Sequence, residues 1–468
     1  MSHPELTPQI SSKIPTVLAV TAFASCLVQL DLTIVNVALQ PLQAALRADV
    51  RALQWVVDAY TLGFAVLLLS AGAIGDSFGS RRVFLAGFVT LGVASLVCAL
   101  SEHVNLLSLA RGLQGIGAAL MLPSSLALLR RACANDAAQL ARALGIWSAV
   151  GGASLAIGPM LGGALIAMAG WRSIFYVNLP ICALGIWLAW RQIPEDRTQT
   201  ILRDFDWPGQ IVGIVVLLML VAGIIESAHL GPTHPLIMLC AVGVLVGGAI
   251  FVAIERRSRN PLLPLQMFRP AEFSVPVAFG LLINFCYCGL IFILSLYLQQ
   301  ALGLPPLSAG IAFIPLTATF IFANLISGRL TAQRGPGVPM VFGALIATVG
   351  YGALSLVVER GSVLFLVPAF ILIPAGMGTA IPGMMACVLS ATDARLGGTA
   401  MAVLNTARQV GAALGVAVFG ALLATDLDRT QTIEATRVAS MISCAILGSC
   451  FVLLAWTFSS RRRRLAND

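Results

Sequence analysis

Apolar runs of roughly twenty residues follow one another along the whole chain, each broken by a short stretch rich in arginine, proline or glycine. A hydrocarbon layer ~30 Å thick takes about 20 helical residues to cross, so each run predicts one membrane-spanning helix. The runs are 15–40, 53–75, 82–101, 104–129, 139–168, 172–191, 209–229, 234–254, 272–301, 307–330, 337–358, 362–390, 396–424 and 435–459, fourteen in all. The middle two are the least sharply divided, being joined by the turn-forming link His229-Leu-Gly-Pro-Thr-His-Pro235.

The two halves of the chain repeat each other weakly. Gly72-Ala-Ile-Gly-Asp-Ser-Phe-Gly79, after the second span, resembles Gly328-Arg-Leu-Thr-Ala-Gln-Arg-Gly335, after the tenth, and Gly115-Ile-Gly117 resembles Gly376-Met-Gly378. The offsets, 256 and 261 residues, are nearly constant, as in a duplicated bundle. The predicted fold class is an all-α membrane protein: two pseudo-symmetric six-helix bundles plus two inserted helices. The expected divisions are an N-terminal bundle at 1–192, two linker helices with cytoplasmic loops at 193–271, and a C-terminal bundle with a basic cytoplasmic tail at 272–468. Such halves usually enclose a central cavity and rock about it.

Composition removes most other classes. Of 468 residues 58% are hydrophobic and 10% charged, well below the quarter or so of a soluble chain. Lys13 is the single lysine among 28 basic residues, and its surroundings lack the GxxxxGK[ST] phosphate loop, so ATP is not the energy source by that route. The ten cysteines include no CxxC pair and fall mostly inside apolar runs, where they read as buried thiols. The four histidines lie at the N-terminus or near span ends, which argues against a zinc site. No metal and no cofactor are expected. The polar Met1 to Pro15 stretch leads into a run too long for a signal-peptide core, so no cleavage is expected.

The net charge of +8 would suggest nucleic acid in a soluble protein, but here the arginines lie between apolar runs and orient helices. With both termini in the cytoplasm, that side carries 20 basic residues: Lys13, Arg81, Arg82, Arg130, Arg131, Arg142, Arg191, Arg197, Arg203, Arg256, Arg257, Arg259, Arg269, Arg329, Arg334, Arg395 and Arg461 to Arg464. The other side carries 6, namely Arg47, Arg51, Arg172, Arg360, Arg429 and Arg437, while Arg111 and Arg408 lie within spans. That bias predicts a cell (cytoplasmic or inner) membrane protein with cytoplasmic termini, no nucleic-acid partner, and a basic tail against anionic lipid.

Of the 20 acidic residues, Asp31 and Asp58 are the carboxylates inside apolar spans, and each is costly there unless protonated, paired or facing water. Counted from the span ends at ~1.5 Å per residue, Asp31, Asp58 and Arg111 lie roughly 13, 8 and 10 Å below the outer surface, at one level. Two carboxylates beside a guanidinium are the minimum equipment for proton coupling; the same groups would also serve as a polar latch between helices. Asn405, Arg408 and Gln409 make a second polar group midway along span thirteen, with structural and coupling roles both open. Glu226 reads as interfacial. Phe23, Trp55, Tyr60, Phe285, Tyr287 and Phe292 are available as cavity wall or as ordinary packing.

Leu30-Asp-Leu-Thr-Ile-Val-Asn-Val-Ala-Leu39, Gln54-Trp-Val-Val-Asp-Ala-Tyr-Thr-Leu62 and Arg111-Gly-Leu-Gln-Gly-Ile-Gly117 carry a resemblance to the major facilitator superfamily. The chain is similar to its fourteen-span drug:proton antiporter branch, including quaternary-ammonium and methylenomycin-resistance exporters. The resemblance implies that Asp31 and Asp58 serve coupling or cargo and that Arg111 takes part in proton transfer. Gly72 to Arg82 resembles the loop after span two, implying a gating role for Asp76, Gly79 and Arg81; Ser77 and Ser80 replace residues that are usually basic there, and simple anchoring competes as a role for Arg81 and Arg82. Gly145, Ser154, Gly158-Pro159 and Gly162-Gly163 resemble the antiporter motif of span five, a bend at which the cavity opens and closes, with Ser154 in place of a usual glycine.

The expected function is a proton-coupled antiporter that exports small amphipathic drugs or antibiotics by alternating access, driven by the proton gradient and working as a monomer. A dedicated metabolite exporter or an uptake symporter of the same fold is the alternative. A membrane enzyme or sensor is the remote one, since no GxSxG, HExxH or phosphate loop occurs.

Overall fold

A computed structural model describes residues 14–133, 137–194, 206–258, 261–392, 396–423 and 429–467. Lys13, Arg197, Arg203, Arg259 and Arg395 fall outside the described residues, and so do the side chains of Asp76 and of Arg461 to Arg464. The described elements are helices: α1 Ile14–Leu46, α2 Val50–Phe78, α3 Ser80–Leu100, α4 Val104–Ala132, α5 Ala137–Ala169, α6 Ser173–Tyr176, α7 Asn178–Gln192, α8 Trp207–Leu230, α9 Pro235–Arg257, α10 Ala271–Leu296, α11 Pro306–Ala312, α12 Ile314–Arg334, α13 Gly337–Val357, α14 Val363–Ser390, α15 Gly397–Ala421 and α16 Arg429–Asn467.

Thirteen helical stretches among these are long and apolar enough to cross a membrane, with α6–α7 and α11–α12 each counting as one span. The fourteenth is α5, bent by 42° between its segments 142–155 and 157–169. Each span reverses the last. Helices α1, α3, α5 and α10 therefore start at the face where the chain begins and ends, here the terminal face, while α2, α4, α11 and α14 start at the opposite, far face.

The packing repeats between halves. Helix α1 lies on α5 as α10 lies on α15, α2 on α4 as α12 on α14, and α3 on α4 as α13 on α14. Turn chemistry repeats too: Gly79 between α2 and α3 has φ 90°, and Gly335 between α12 and α13 has φ 84°, a region that side-chain-bearing residues avoid. The glycine register differs from the sequence comparison. Gly117 packs on α3 and Gly376 on the equivalent α13, whereas Gly115 packs on α2. Gly117 and Gly376 are thus the true counterparts, because residues two apart on a helix face opposite neighbours.

The inserted hairpin rides on α2. Near the terminal face Gln210 of α8 donates to the Val66 carbonyl at 2.5 Å and accepts from Ser70. Near the far face Glu226 accepts from Arg51 at 3.0 Å and from Trp55 at 3.4 Å. Between these ends Val221 and Ile225 pack with Leu62 of α2 and with Ala413 and Ala417 of α15. Helix α9 turns Leu239, Val242, Leu245 and Val246 outward, an apolar surface suited to lipid.

Candidate transport site

Helix α4 can deliver an arginine to the middle of the first half because it lies almost backbone to backbone on α2. A Cβ at Gly115 would stand 2.1 Å from the Tyr60 carbonyl oxygen, so only glycine permits this approach. One turn earlier Arg111 turns inward, with its guanidinium 4.4 Å from the centre of the Tyr60 ring and Nε donating to the Val56 carbonyl at 3.2 Å. Its Nη1 donates to Asp31 Oδ2 at 2.8 Å and to Gln114 Oε1 at 2.9 Å. Asp31 and Arg111 are both fully buried.

The other carboxylate oxygen is held by amides. Asn178, at the start of α7, donates to Asp31 Oδ1 at 2.7 Å, and Gln114 donates to the same oxygen at 3.3 Å. Both amides also reach Ser95 Oγ on α3, at 3.2 and 2.7 Å. Four helices thus converge on one carboxylate, whose charge is met by a guanidinium and two N–H donors. Both carboxylate oxygens and the guanidinium Nε and Nη1 are bonded, which offsets much of the cost of burying the pair, while Nη2 of Arg111 is buried without an acceptor.

Asp58 does not join them. Asp31 also lies deeper than the sequence counting placed it, because α1 continues to Leu46 and leaves it ~22 Å of helix from the far end. Helix periodicity explains Asp58: Val56 and Tyr60 face α4, so Asp58, two residues from each, points the other way. It shares its stripe with Gln54, which donates to the Val416 and Ala417 carbonyls of α15 at 3.3 and 2.9 Å, and with Leu62. Both carboxylate oxygens of Asp58 are buried with no hydrogen-bond partner. Cys288 of α10 lies within electrostatic reach of both Asp58 and Arg408.

Arg408 is held within its own helix, donating to Asn405 Oδ1 at 3.3 Å while its Nε has no acceptor. Gln409 follows it, half-buried. Asp58 and Arg408 each lie near Cys288 of α10, with no hydrogen bond between them, and both are separate from the Asp31–Arg111 pair.

The far ends of the two halves are closed on each other. Ser295 of α10 donates to the Asn36 carbonyl at 2.5 Å, Gln300 donates to Gln43 at 2.8 Å, and Gln54 makes the bonds to α15 given above. Gly163 of α5 meets the backbone of Pro306 and Leu307, and Gly310 of α11 meets that of Pro159. Pro159 has no N–H for the Leu155 carbonyl one turn back; Thr33 Oγ1 of α1 stands 3.1 Å from that oxygen instead. Gly158 and Gly162 let α1 close against the bend at Thr33 and Ile34.

At the terminal face Arg81 is nearly buried and donates to the Trp190 carbonyl at 2.7 Å, capping the last turn of α7. Asp76 lies in the last turns of α2, next to Gly79. The sequence reading missed Gln114, Ser95 and Asn178. A signal was available: Gln114 lies three residues after Arg111, and Asn178 is a carboxamide inside an apolar span.

A bundle of fourteen spans in two pseudo-symmetric halves, with a buried ion pair at the heart of the first, defines a multi-pass membrane protein, and its family and relatives make it a transporter rather than an enzyme. The chain belongs to the Major Facilitator Superfamily, whose family model matches residues 21–416. It is 34% identical over 455 residues to a methylenomycin A resistance protein of Streptomyces coelicolor, covering 96% of this chain and 94% of that protein. It is also 34% identical to the multidrug resistance protein Stp of Mycobacterium tuberculosis and to a tetracenomycin C resistance and export protein of Streptomyces glaucescens, each match covering 88% of this chain and 76% of the relative. Among solved structures, a POT family transporter superposes with a TM-score of 0.70 at 14% identity over 95% of this chain and 96% of that one, a likeness of fold.

Proposed function

We propose that the protein exports small amphipathic drugs or antibiotics from the cytoplasm in exchange for protons, by alternating access. The observation that carries this reading is the division of labour between the two intramembrane carboxylates. Asp31 is fully bonded as an anion, whereas Asp58 is buried without a donor on the seam between halves. Resistance and export are what the relatives above are named for.

In this scheme the closed far face belongs to the state that receives cargo from the cytoplasm. Asp58, with no countercharge of its own, is the group that a cationic cargo would neutralise. After the halves rock, a proton reaching Asp31 from outside would remove the anion that holds Arg111. The guanidinium would then keep only its oxygen acceptors on Val56 and Gln114. Release of that proton inward would restore the pair and reset the cycle.

In this scheme Gly158, Pro159, Gly162 and Gly163 form the bend that seals the far face, and Asp76, Gly79 and Arg81 work at the opposite gate. Asn405, Arg408 and Gln409 form the second-half side of the cargo path. The protein works as a monomer in the cytoplasmic membrane with both termini inside, its arginine-rich tail against anionic lipid. The proton gradient is the energy source, with no cofactor.

The test is flux. In inverted membrane vesicles an imposed pH gradient, acid inside, is expected to drive accumulation of a fluorescent amphipathic cation such as ethidium, with Asp31→Asn abolishing it. Across a panel of cationic, neutral and anionic drugs, a deletion strain is expected to be sensitised to several. No gradient-driven uptake of any probe would sink the antiport reading, and sensitisation to a single compound would favour a dedicated metabolite exporter.

A further inference from the structure

The bonds around Asp31 suit an anion and leave an acid badly served. Oδ1 of Asp31 is faced by two N–H donors, from Asn178 and Gln114, while an acid needs an acceptor for its O–H. The same cluster holds an idle acceptor: Asn178 Oδ1 is buried with no donor. Ser95 Oγ accepts from both amides, so its own O–H remains available to donate.

A half-turn of the Asn178 amide about its terminal torsion resolves the conflict. Oδ1 then stands where Nδ2 stood, within reach of both the Asp31 O–H and the Ser95 O–H. Nδ2 moves to the place that already lacks a partner, so the turn adds no new unpaired position. Gln114 cannot do this, because its Oε1 is committed to Arg111 at 2.9 Å.

We propose that Asn178 is the positioning residue of the Asp31 proton site, donating to the carboxylate and, turned over, accepting the proton of the acid. This rests on the reading of Asp31 as a proton carrier. The only covalent change is formation of the Asp31 O–H bond by a proton from water, and its loss on release. Asp31 loses its charge on protonation, and Arg111 retains its own along with its acceptors at Val56 and Gln114.

The titratable groups that face Asp31 are Arg111 of α4, Tyr60 of α2, Cys98 of α3 and Cys182 of α7. Asp58 of α2 faces α15 instead. Helices α5 and α10 also pack on α1, and their charged residues among those described, Arg142 and Glu272, sit near the terminal face.

Infrared difference spectroscopy of the full-length protein in lipid nanodiscs, between acidic and alkaline buffer and with no cargo, reads the Asp31 acid directly. The carboxylic C=O band lost in Asp31→Asn is its marker. In Asn178→Leu that band is expected to shift to higher wavenumber as the acid loses its acceptor. Ser95→Ala, a milder change that keeps the amide, is expected to shift it the same way by less, and carries the test should Asn178→Leu not fold. An Asp31 band at the wild-type position in both variants, or in Ser95→Ala alone where that is the folded one, would overturn the proposal. Gradient-driven ethidium flux in vesicles is read separately. An unshifted band with flux intact removes the role of Asn178 alone; a shifted band without flux removes the antiport reading and leaves Asn178 in place.

Discussion

Arg111 Nη1 lies 2.8 Å from Asp31 Oδ2, and the two side chains are 1% and 0% exposed. Neither charge has water to fall back on, so removing one strands the other. Arg111→Ala is expected to cost about 3–5 kcal/mol, because an uncompensated carboxylate stays in the bundle. The double variant Asp31→Asn with Arg111→Ala is expected to recover much of that loss. Apparent melting temperatures of the single and double variants in lipid nanodiscs make the comparison. A loss in the double variant equal to the sum of the two single losses would mean that the two residues act independently.

Asp58 calls for the opposite result. Its carboxylate oxygens are buried without a partner, so the neutral isostere in Asp58→Asn has no ion pair to break. Thermal stability is expected to stay level or rise by ~1 kcal/mol, since the buried ionisable group is a cost. Binding of a cationic probe such as ethidium is expected to weaken at least about tenfold, the ~1.4 kcal/mol loss of one buried charge contact, with a neutral probe hardly affected. A melting temperature that falls as far as for Arg111→Ala would make Asp58 a structural latch.

These contrasting environments show where sequence reading reaches and where it stops. The fourteen spans were legible because hydrocarbon thickness sets helix length, and the turn at Gly79 because positive φ selects glycine. Asp31 and Arg111 were legible as intramembrane charges. Depth along a span carries no rotational information, so Asp58 read as their neighbour although it faces α15; the two-residue offset from Val56 and Tyr60 becomes informative only once α4 is known to lie on that side. Asn178 and Ser95 stayed hidden for a related reason, since uncharged polar residues in an apolar run acquire meaning only from what they touch.

The pair that ties the inserted hairpin to α2 is predicted to matter little for stability. Arg51 is 40% exposed and Glu226 20%, and Arg51 also has Asp49 at 3.5 Å. Screening at such a site leaves ~0–1 kcal/mol, so Glu226→Gln is expected to move the melting temperature by only a degree or two. The apolar contacts of Val221 and Ile225 hold α8 in place instead. Val221→Ala with Ile225→Ala is expected to be the more damaging change, at about 2–4 kcal/mol for two truncated buried side chains.

The far-face seal offers the sharpest conformational test. A Cβ at Gly163 would lie 2.6 Å from the Pro306 carbonyl oxygen and 2.9 Å from Leu307 Cα, both backbone atoms that cannot rotate away. Gly163→Val must therefore push α5 off α11, at a strain of ~1–3 kcal/mol that falls only on the closed far face. The equilibrium is expected to shift towards the conformation open on that side by about tenfold or more, since each 1.4 kcal/mol is a factor of ten. In a background with the ten native thiols replaced, a cysteine at Asn36, beside the Ser295 bond, would report it. Faster labelling by a membrane-impermeant thiol reagent added from the far side is the expected outcome, accompanied by loss of gradient-driven flux. Unchanged labelling would show that α5 and α11 separate without opening the seam, and would move the gate elsewhere.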